Sequence, residues 1–309
     1  MTTNIGHENE SGAAFTVAIC TRNRAPSLRS VLDSIAAADA PSTEWELIVV
    51  DNGSTDDTAE VIGSFADRLP IRRAWQPVAG LSNARNKAVE AASGRHILWT
   101  DDDVLVRPGW LRAFADAFAA HPDAAIFGGI VLPMYEPPVV PWFAAAEDQL
   151  RTLLAYRNFS GAVDPARMPF GACYAVRMAE QRRFAYDPEL GVAPGRRIGG
   201  EETAVLEAIY AAGGRGIWVE GGIVDHIISQ DRQTIAYIVQ FYRSHGLQHP
   251  DRPRAPDWLR LAGVPIDLWA NIPVRYVRYH LKRALGRSWV GELRDYARAR
   301  GTVDAARNR

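Results

Sequence analysis

The sequence predicts an α/β fold with a mostly parallel sheet, helices on both of its faces, and a helical extension after it. Short apolar runs that suit buried strands alternate with segments whose apolar residues recur at helical spacing. Such alternation is typical of strand–helix–strand units, which form parallel sheets. With 309 residues and 47% hydrophobic content, the chain is also long enough to bury a large core.

The alternation can be followed element by element from residue 15. The predicted strands cover 15–20, 46–51, a short stretch near 71, 96–99, 125–132 and 216–224. Helical spacing is seen at 28–35, 58–65, 81–92, 111–119 and after 202, with Pro26 placed where the first helix can begin. Between them, 135–143 is rich in proline and aromatic residues, which predicts a loop over the site.

Polar side chains capable of chemistry follow three of these strands. They are Thr21, Arg22 and Asn23 after the first strand, Asp51 after the second, and Asp101, Asp102 and Asp103 after the fourth. Ligands of open parallel sheets bind outside the carboxyl ends of the strands. The sequence therefore predicts a binding site at this edge of the sheet.

The run of three aspartates indicates a cation. Adjacent carboxylates in a dry cleft repel one another unless a positive charge lies among them. Oxygen ligands suit Mg²⁺ or Mn²⁺, and an ion held by one or two carboxylates keeps positions open for phosphate oxygens. Taken alone, the same cluster would equally suit a helix cap or a solvated turn.

Four ordered motifs give the site a function. VAICTRNR, LIVVDNGSTDDT, GLSNARNKAV and ILWTDDDVLVRPGWL resemble the amino-terminal half of family 2 glycosyltransferases, closely over 15–129 and more loosely to 234. The resemblance implies the GT-A fold, Mn²⁺ or Mg²⁺ as cofactor, and a nucleotide-sugar donor, for which UDP is the common nucleotide. It also implies inverting transfer to a saccharide or a lipid-linked saccharide.

The resemblance also implies a role for each of several residues on the donor side of the site. Asp51 matches the carboxylate that contacts the base or ribose, and Arg85 matches the arginine that reaches the base or diphosphate. The acidic motif is usually Asp-x-Asp, which places Asp101 on the ribose side and Asp103 on the metal. Asp102 leaves that register open by one position.

The second half of the chain supplies the remaining predicted roles. Glu202 in GGEET lies at the position of the general base, where the family commonly has Asp, and Glu201 is the alternative. His226 is expected to be a further metal ligand, and Arg232 to stabilise the leaving diphosphate. The two glutamates would equally suit a helix start, where they complement the helix dipole. The aromatic residues Trp142, Phe143 and Trp218 are expected either to stack on sugars or to lie in the core.

The predicted organisation has three parts. They are a disordered leader (1–13), a catalytic domain (14–235) with a nucleotide-sugar-binding half (14–130) and an acceptor-binding half (131–235), and a basic amphipathic helical extension (236–309). From Asp251 to Arg309 there are 13 Arg or Lys against 6 Asp or Glu, whereas the whole chain has a net charge of -1. The extension and the catalytic domain therefore differ in charge.

The extension has two interpretations. Residues 258–285 mix apolar, aromatic and arginine side chains, which suits an interfacial helix that contacts a membrane near a lipid-linked acceptor. Prolines interrupt the pattern, which favours a helical subdomain packed on the catalytic domain. No signal peptide and no spanning segment are seen. We therefore expect a cytoplasmic protein, with peripheral contact to the inner face of the membrane at most, and its two cysteines suit a reducing compartment.

Other functions are less well supported by the sequence. Near-neutral net charge without basic runs argues against nucleic acid as a partner. A sugar-phosphate nucleotidyltransferase would show a glycine-rich loop after the first strand, and TRNRAPS has no glycine. A dehydrogenase would show GxGxxG there. A non-catalytic nucleotide-sugar-binding protein is the alternative of another class, although metal and base candidates are both present.

Overall fold

The computed structural model describes residues 13–197, 199–251, 253 and 258–307 and is organised around one eight-stranded sheet. In chain order, the strands are β1 (Phe15–Thr21), β2 (Trp45–Asp51), β3 (Ile71–Trp75), β4 (His96–Asp101), β5 (Val104–Val106), β6 (Ile126–Tyr135), β7 (Cys173–Arg177), β8 (Val192–Ala193), β9 (Arg196–Arg197), β10 (Gly216–Ile228), β11 (Arg260–Leu261) and β12 (Val264–Pro265). The main sheet has the order β3-β2-β1-β4-β7-β6-β10-β5, and β8–β9 and β11–β12 form separate hairpins.

Helices surround the sheet and continue beyond it. They are α1 (Ala25–Ala36), α2 (Thr58–Gly63), α3 (Leu81–Ala91), α4 (Trp110–Ala120), α5 (Pro141–Ala144), α6 (Met178–Gln181), α7 (Glu201–Ala211), α8 (Ile235–Gln248), α9 (Ile266–Ala284) and α10 (Val290–Arg307). One apolar core joins α1, α2 and α4 to one face of the sheet, and a second core joins α3 and α7 to the other face. The predicted α/β fold with helices on both faces is confirmed.

The first half of the sheet is parallel, as predicted. β1 pairs in parallel with both β2 and β4, and β2 pairs in parallel with β3. The chain order reverses between β1 and β4, which opens a crevice outside the carboxyl ends of these two strands. Thr21 and Asp101, the last residues of the two strands, therefore lie side by side at the crevice.

The second half of the sheet is mixed. β7 is antiparallel to β4 and β6, and β5 is antiparallel to β10, whereas β6 and β10 are parallel. β6 and β10 also run longer than predicted, because residues 130–135 and 223–228 continue their pairing beyond a bulge. His226 consequently lies inside β10, whereas the sequence suggested that it follows the strand.

The helices after β10 pack on each other and on the catalytic domain. A third core combines Phe143 and Leu150 with Tyr242 of α8, Tyr279 of α9 and Leu293 of α10. Of the two predicted interpretations of the extension, the described residues thus bear out the one in which it packs on the catalytic domain. The domain boundaries remain a prediction, and the leader lies outside the described residues apart from Ala13. In the described part of the chain, no helix is long and apolar enough to cross a membrane.

Glycines allow α8 and α10 to cross closely. A Cβ at Gly301 would collide with the backbone carbonyl of Arg243, and a Cβ at Gly246 would collide with that of Arg298. We expect Gly301→Ala to lower the free energy of unfolding by about 3 kcal/mol, because backbone atoms cannot move aside as a flexible side chain can. Urea denaturation measures this.

Gly63→Ala is the matched control. Gly63 is also helical and has no atom within 4 Å of the added Cβ. Its replacement should change stability by less than about 0.5 kcal/mol. Equal effects of the two substitutions would contradict the close crossing.

Candidate active site

Two adjoining cavities lie at the carboxyl ends of β1 and β4. The larger has a volume of about 1050 Å³ and is lined by Thr21, Arg22 and the three aspartates. The smaller, of about 380 Å³, is lined by Arg85, Glu201, Glu202 and His226. Asp101, Asp103 and Arg232 border both. All predicted site residues except Asn23 and Asp51 therefore line one of the two cavities.

Asp102 holds the end of β4 to the start of α1. Its Oδ2 accepts a hydrogen bond from Thr21 Oγ1 at 2.7 Å, and its Oδ1 pairs with Arg24 Nη1 at 2.5 Å. Burial raises the pKa of Asp102 to about 7, although Arg24 opposes the shift. With both oxygens occupied, Asp102 acts in this geometry as a support for its neighbours.

Asp103 faces the cavities and is surrounded by nitrogen atoms. Its Oδ2 accepts from Arg232 Nη2 at 2.7 Å and from Arg24 Nη2 at 3.2 Å, and its Oδ1 lies 3.8 Å from His226 Nε2. Burial alone would raise the pKa of Asp103, but the positive charges of Arg232 and Arg24 lower it below its usual value. Asp103 is therefore an ionised carboxylate at neutral pH.

The contacts of His226 fix its orientation. Its Nδ1 lies 2.9 Å from the carbonyl oxygen of Leu154, which can only accept, so Nδ1 carries the proton. In the neutral ring, Nε2 then keeps its lone pair, and it accepts from Arg232 Nη1 at 3.0 Å. Metal-bound histidines are typically held by a backbone carbonyl on the nitrogen away from the metal. His226 thus presents a nitrogen lone pair beside Asp103.

Asp103 and His226 fit a divalent ion that is shared with a phosphate ligand. Within the described ranges, no group of three or more His, Cys, Asp or Glu residues forms a complete metal site. Mg²⁺ in phosphate-transfer sites is usually held by one or two protein groups together with substrate phosphates and water. A carboxylate oxygen and an imidazole nitrogen 3.8 Å apart provide such a partial donor set.

Arg85 is almost fully buried at the wall of the smaller cavity. Its Nη1 donates to Tyr174 Oη at 2.9 Å, Nη2 lies 3.7 Å from Asp101 Oδ1, and Nε lies 3.6 Å from Glu201 Oε1. Its guanidinium also lies 5.1 Å from the Trp99 ring centre. Burial raises the pKa of Asp101, and Arg85 opposes that shift. Arg85 therefore lies close to Asp101, which borders both cavities, and to Glu201, which lines the smaller one.

The two candidate bases have different environments. Glu201 begins α7 and is buried beside Arg85; burial and the neighbouring Glu202 raise its pKa to about 8, although Arg85 opposes them. Glu202 is half-buried and lines the smaller cavity. Among the described residues, its carboxylate has no hydrogen bond or ion pair. Of the two glutamates, Glu202 is therefore the one whose carboxylate is open to a ligand.

The raised pKa of Glu201 predicts a pH-dependent effect on stability. Its pKa in the folded chain, about 8, exceeds its ordinary value of 4.5, so folding favours the proton. This stabilisation is complete below pH 4.5 and is lost as the pH rises to about 8. Glu201→Gln stays neutral throughout. Its free energy of unfolding relative to the unchanged chain should therefore rise by on the order of 1 kcal/mol per pH unit across that window.

Urea denaturation at several pH values between those limits measures the difference. Glu207→Gln is the control, because Glu207 lies on the exposed side of the same helix. Its effect on stability should not change with pH in this window. A Glu201→Gln difference that stays constant with pH would contradict the raised pKa.

The two predicted residues outside the cavities support the adjoining loops. Asp51 is buried, pairs with Arg73 Nη2 at 2.6 Å, and accepts from the Ser54 backbone nitrogen at 2.8 Å. Asn23 adopts a positive φ of 52° and accepts from the Thr55 backbone nitrogen at 2.7 Å. Their predicted contacts with the nucleotide remain predictions.

Some cavity residues were not identified from the sequence. Arg24 pairs with two of the three aspartates and is the second arginine of the TRNR motif. Tyr237 and Phe241 of α8 line the smaller cavity, and no local pattern marks them.

The three aromatic residues for which either sugar stacking or core packing was expected all pack within the protein. Phe143 and Trp218 are buried in apolar cores. Trp142 packs on Trp289, with ring centres 4.9 Å apart. None of the three lines either cavity.

Comparisons with known proteins agree with this arrangement. Residues 16–168 match the sequence model of glycosyl transferase family 2. Validoxylamine A glucosyltransferase from Streptomyces hygroscopicus is 33% identical over 117 residues, which are 37% of this chain and 28% of that protein. The poly(ribitol-phosphate) beta-N-acetylglucosaminyltransferase TarS of Staphylococcus aureus is 31% identical over 109 residues, 35% of this chain and 19% of that protein. The matched segments thus span less than a third of the length of these two relatives.

Solved structures show the same fold over nearly the whole chain. The mannosyltransferase PcManGT from Pyrobaculum calidifontis, in complex with GDP-Man and Mn²⁺, has a TM-score of 0.62 at 18% identity and covers 95% of this chain and 88% of its own. S. aureus TarS in complex with UDP-GlcNAc has a TM-score of 0.57 at 16% identity, with coverage of 94% and 91%. The family match thus assigns residues 16–168 to glycosyl transferase family 2, and the shared architecture gives the chain the GT-A fold of these glycosyltransferases.

Proposed function

We propose that the chain is a metal-dependent inverting glycosyltransferase that moves a sugar from a nucleoside-diphosphate sugar to an acceptor hydroxyl. The acceptor is a saccharide or a lipid-linked saccharide, in glycan, polysaccharide or glycolipid biosynthesis. One observation carries the proposal: the Asp103–His226 pair and the free carboxylate of Glu202 line the same cavity, and Asp103 also borders the larger cavity beside it. A site for a donor diphosphate and a site for an acceptor hydroxyl therefore adjoin.

The larger cavity suits the donor. Its volume of about 1050 Å³ is at the upper end of the range for ligand sites. A divalent ion held by Asp103 and His226 would neutralise the diphosphate and make it a better leaving group. Arg24 and Arg232, which now pair with Asp103, would turn their guanidinium groups to phosphate oxygens, for which a planar fork of donors is well suited.

The smaller cavity suits the acceptor. Phe170, Tyr237 and Phe241 supply flat apolar surfaces that can lie against a sugar ring. Glu202 accepts the proton of the acceptor hydroxyl as the oxygen attacks the anomeric carbon and the bond to the diphosphate breaks. A single displacement of this kind inverts the anomeric centre. Glu201 is the weaker candidate for the base, because its raised pKa keeps it protonated at neutral pH.

The structural neighbours support the donor class and leave the nucleotide open. PcManGT was solved with GDP-Man and Mn²⁺, and TarS was solved with UDP-GlcNAc. Both ligands are nucleoside-diphosphate sugars, but they differ in the nucleoside. UDP remains our expected nucleotide, because it is the common one in the family that the four sequence motifs resemble.

A donor-hydrolysis and transfer assay tests the proposal. Purified protein is incubated with UDP-glucose, UDP-GlcNAc or GDP-mannose, a panel of simple glycosides, and Mn²⁺ or a chelator. We expect one donor to release its nucleoside diphosphate in the presence of Mn²⁺, and the proton spectrum of the product to show the inverted anomer. Retention at the anomeric carbon, or equal release with chelator, would contradict the mechanism.

A further inference from the structure

Helix α9 has apolar side chains on two opposite faces. On the inner face, Leu268 packs with Val264 and Val303, and Tyr279 packs with residues of α10. On the outer face, four apolar residues are each about half exposed or more: Val274, Val277, Leu281 and Leu285, at 49%, 61%, 57% and 57%. A surface helix of a globular protein normally has one apolar face. The second face of α9 is therefore a feature that packing within the chain does not explain.

The four exposed side chains form a continuous stripe, which we call the outer stripe. At about 100° per residue, these four positions fall within an arc of about 80°. Before the start of α9, Trp258 and Leu261 are also exposed, at 81% and 57%. The indole nitrogen of Trp269 in α9 donates to the Leu261 carbonyl, which fixes that segment to the helix.

After the first turn of α9, the charged side chains up to the start of α10 are all positive. Residues 268–291 contain five Arg or Lys and no Asp or Glu. Two of the five, Arg275 and Lys282, pair with Glu292 of α10 on the inner side. The other three have no carboxylate partner among the described residues; they are Arg278, Arg283 and Arg287.

We propose that the outer stripe rests on the surface of an anionic lipid bilayer. A helix that lies in a membrane interface combines an apolar face with basic residues beside it, which is the pattern of α9. Arginines without carboxylate partners complement the negative charge of anionic headgroups. Trp258, which is 81% exposed, is an aromatic residue of the type enriched at membrane interfaces. The proposal rests on α9 and the segment fixed to it, and is independent of the reaction in the cavities.

Vesicle sedimentation with the full chain tests the proposal. The probes are vesicles of phosphatidylcholine alone and of phosphatidylcholine mixed with phosphatidylglycerol. We expect binding to the mixed vesicles, weaker binding at high salt, and little binding to phosphatidylcholine. Arg278→Gln with Arg287→Gln should weaken binding to the mixed vesicles by about thirtyfold, since each of the two arginines near the surface contributes about 1 kcal/mol.

Val277→Glu with Leu281→Glu should abolish binding to the mixed vesicles. The matched control is Val139→Glu, because Val139 is also exposed, at 42%, and lies outside the extension. It should bind as the unchanged chain does, and thermal unfolding midpoints confirm that each variant folds. Absence of binding to mixed vesicles, or full binding by the Val277 and Leu281 variant, would overturn the proposal. So would a dimer in lipid-free solution that this variant converts to a monomer, because a second copy would then cover the stripe.

Discussion

Replacing Glu202 by Gln is expected to lower the rate of sugar transfer by about a thousandfold, because the substitution removes the carboxylate that is free to accept the acceptor proton. Glu202 makes no hydrogen bond or ion pair with the described residues, so the amide should not disturb its surroundings. Donor affinity should stay unchanged, since the diphosphate side of the site is formed by other residues. Turnover under saturating donor and acceptor, with donor affinity from calorimetry, separates the two effects.

Glu201→Gln is the control for this prediction. Glu201 is already protonated at neutral pH, and glutamine resembles a protonated glutamate in shape and charge. Its rate should fall by less than about tenfold, a loss smaller than that of a general base. If Glu201→Gln were the inactive variant and Glu202→Gln turned over normally, the assignment of the base would be wrong.

Asp103→Asn should have the second largest effect, on metal-dependent binding of the donor. Removing a residue that merely orients a metal ligand costs about 10–100-fold in metal affinity, so loss of a direct carboxylate ligand should cost at least about a hundredfold. The chelator-insensitive part of the affinity should change little. Titration of a nucleoside diphosphate with and without Mn²⁺ measures both parts.

Asp225→Asn provides the matched control. Asp225 precedes His226 in β10, but its carboxylate pairs with Arg107 at 2.8 Å and lies outside both cavities. Its replacement should leave metal-dependent affinity unchanged. Equal Mn²⁺ dependence in Asp103→Asn and the unchanged chain would contradict the ligand role of Asp103.

The donor side of the site could be predicted largely from local sequence. In a parallel half-sheet, the residues directly after each strand meet at one edge, so Thr21 and the three aspartates at 101–103 become neighbours once the strands are recognised. Arg24 was missed as a site residue although it is only a few positions from β1. A helix-start arginine gives no sign of whether it turns to solvent or to the aspartates.

The acceptor side of the site could not be predicted in the same way, because its residues are brought together by packing between distant segments of the chain. Tyr237 and Phe241 reach the smaller cavity because α8 is held by the third core, whose members come from distant segments of the chain. The antiparallel pairing of β7 likewise could not be predicted, because a long connection without a recognisable crossover helix precedes this strand. His226 was predicted as a candidate, but its position inside β10 depends on pairing with β6 beyond a bulge.

Asp103 and His226 are proposed to hold a divalent ion against the diphosphate of a nucleotide sugar, and the whole mechanism depends on that ion. Calorimetric titration of the purified protein with UDP, GDP and dTDP, first with Mn²⁺ and then with chelator, tests this most directly and needs no knowledge of the acceptor. We predict that one nucleotide binds in the presence of Mn²⁺ and that chelator removes this binding. Binding of none of the three, or binding that chelator does not change, would contradict the proposed metal site.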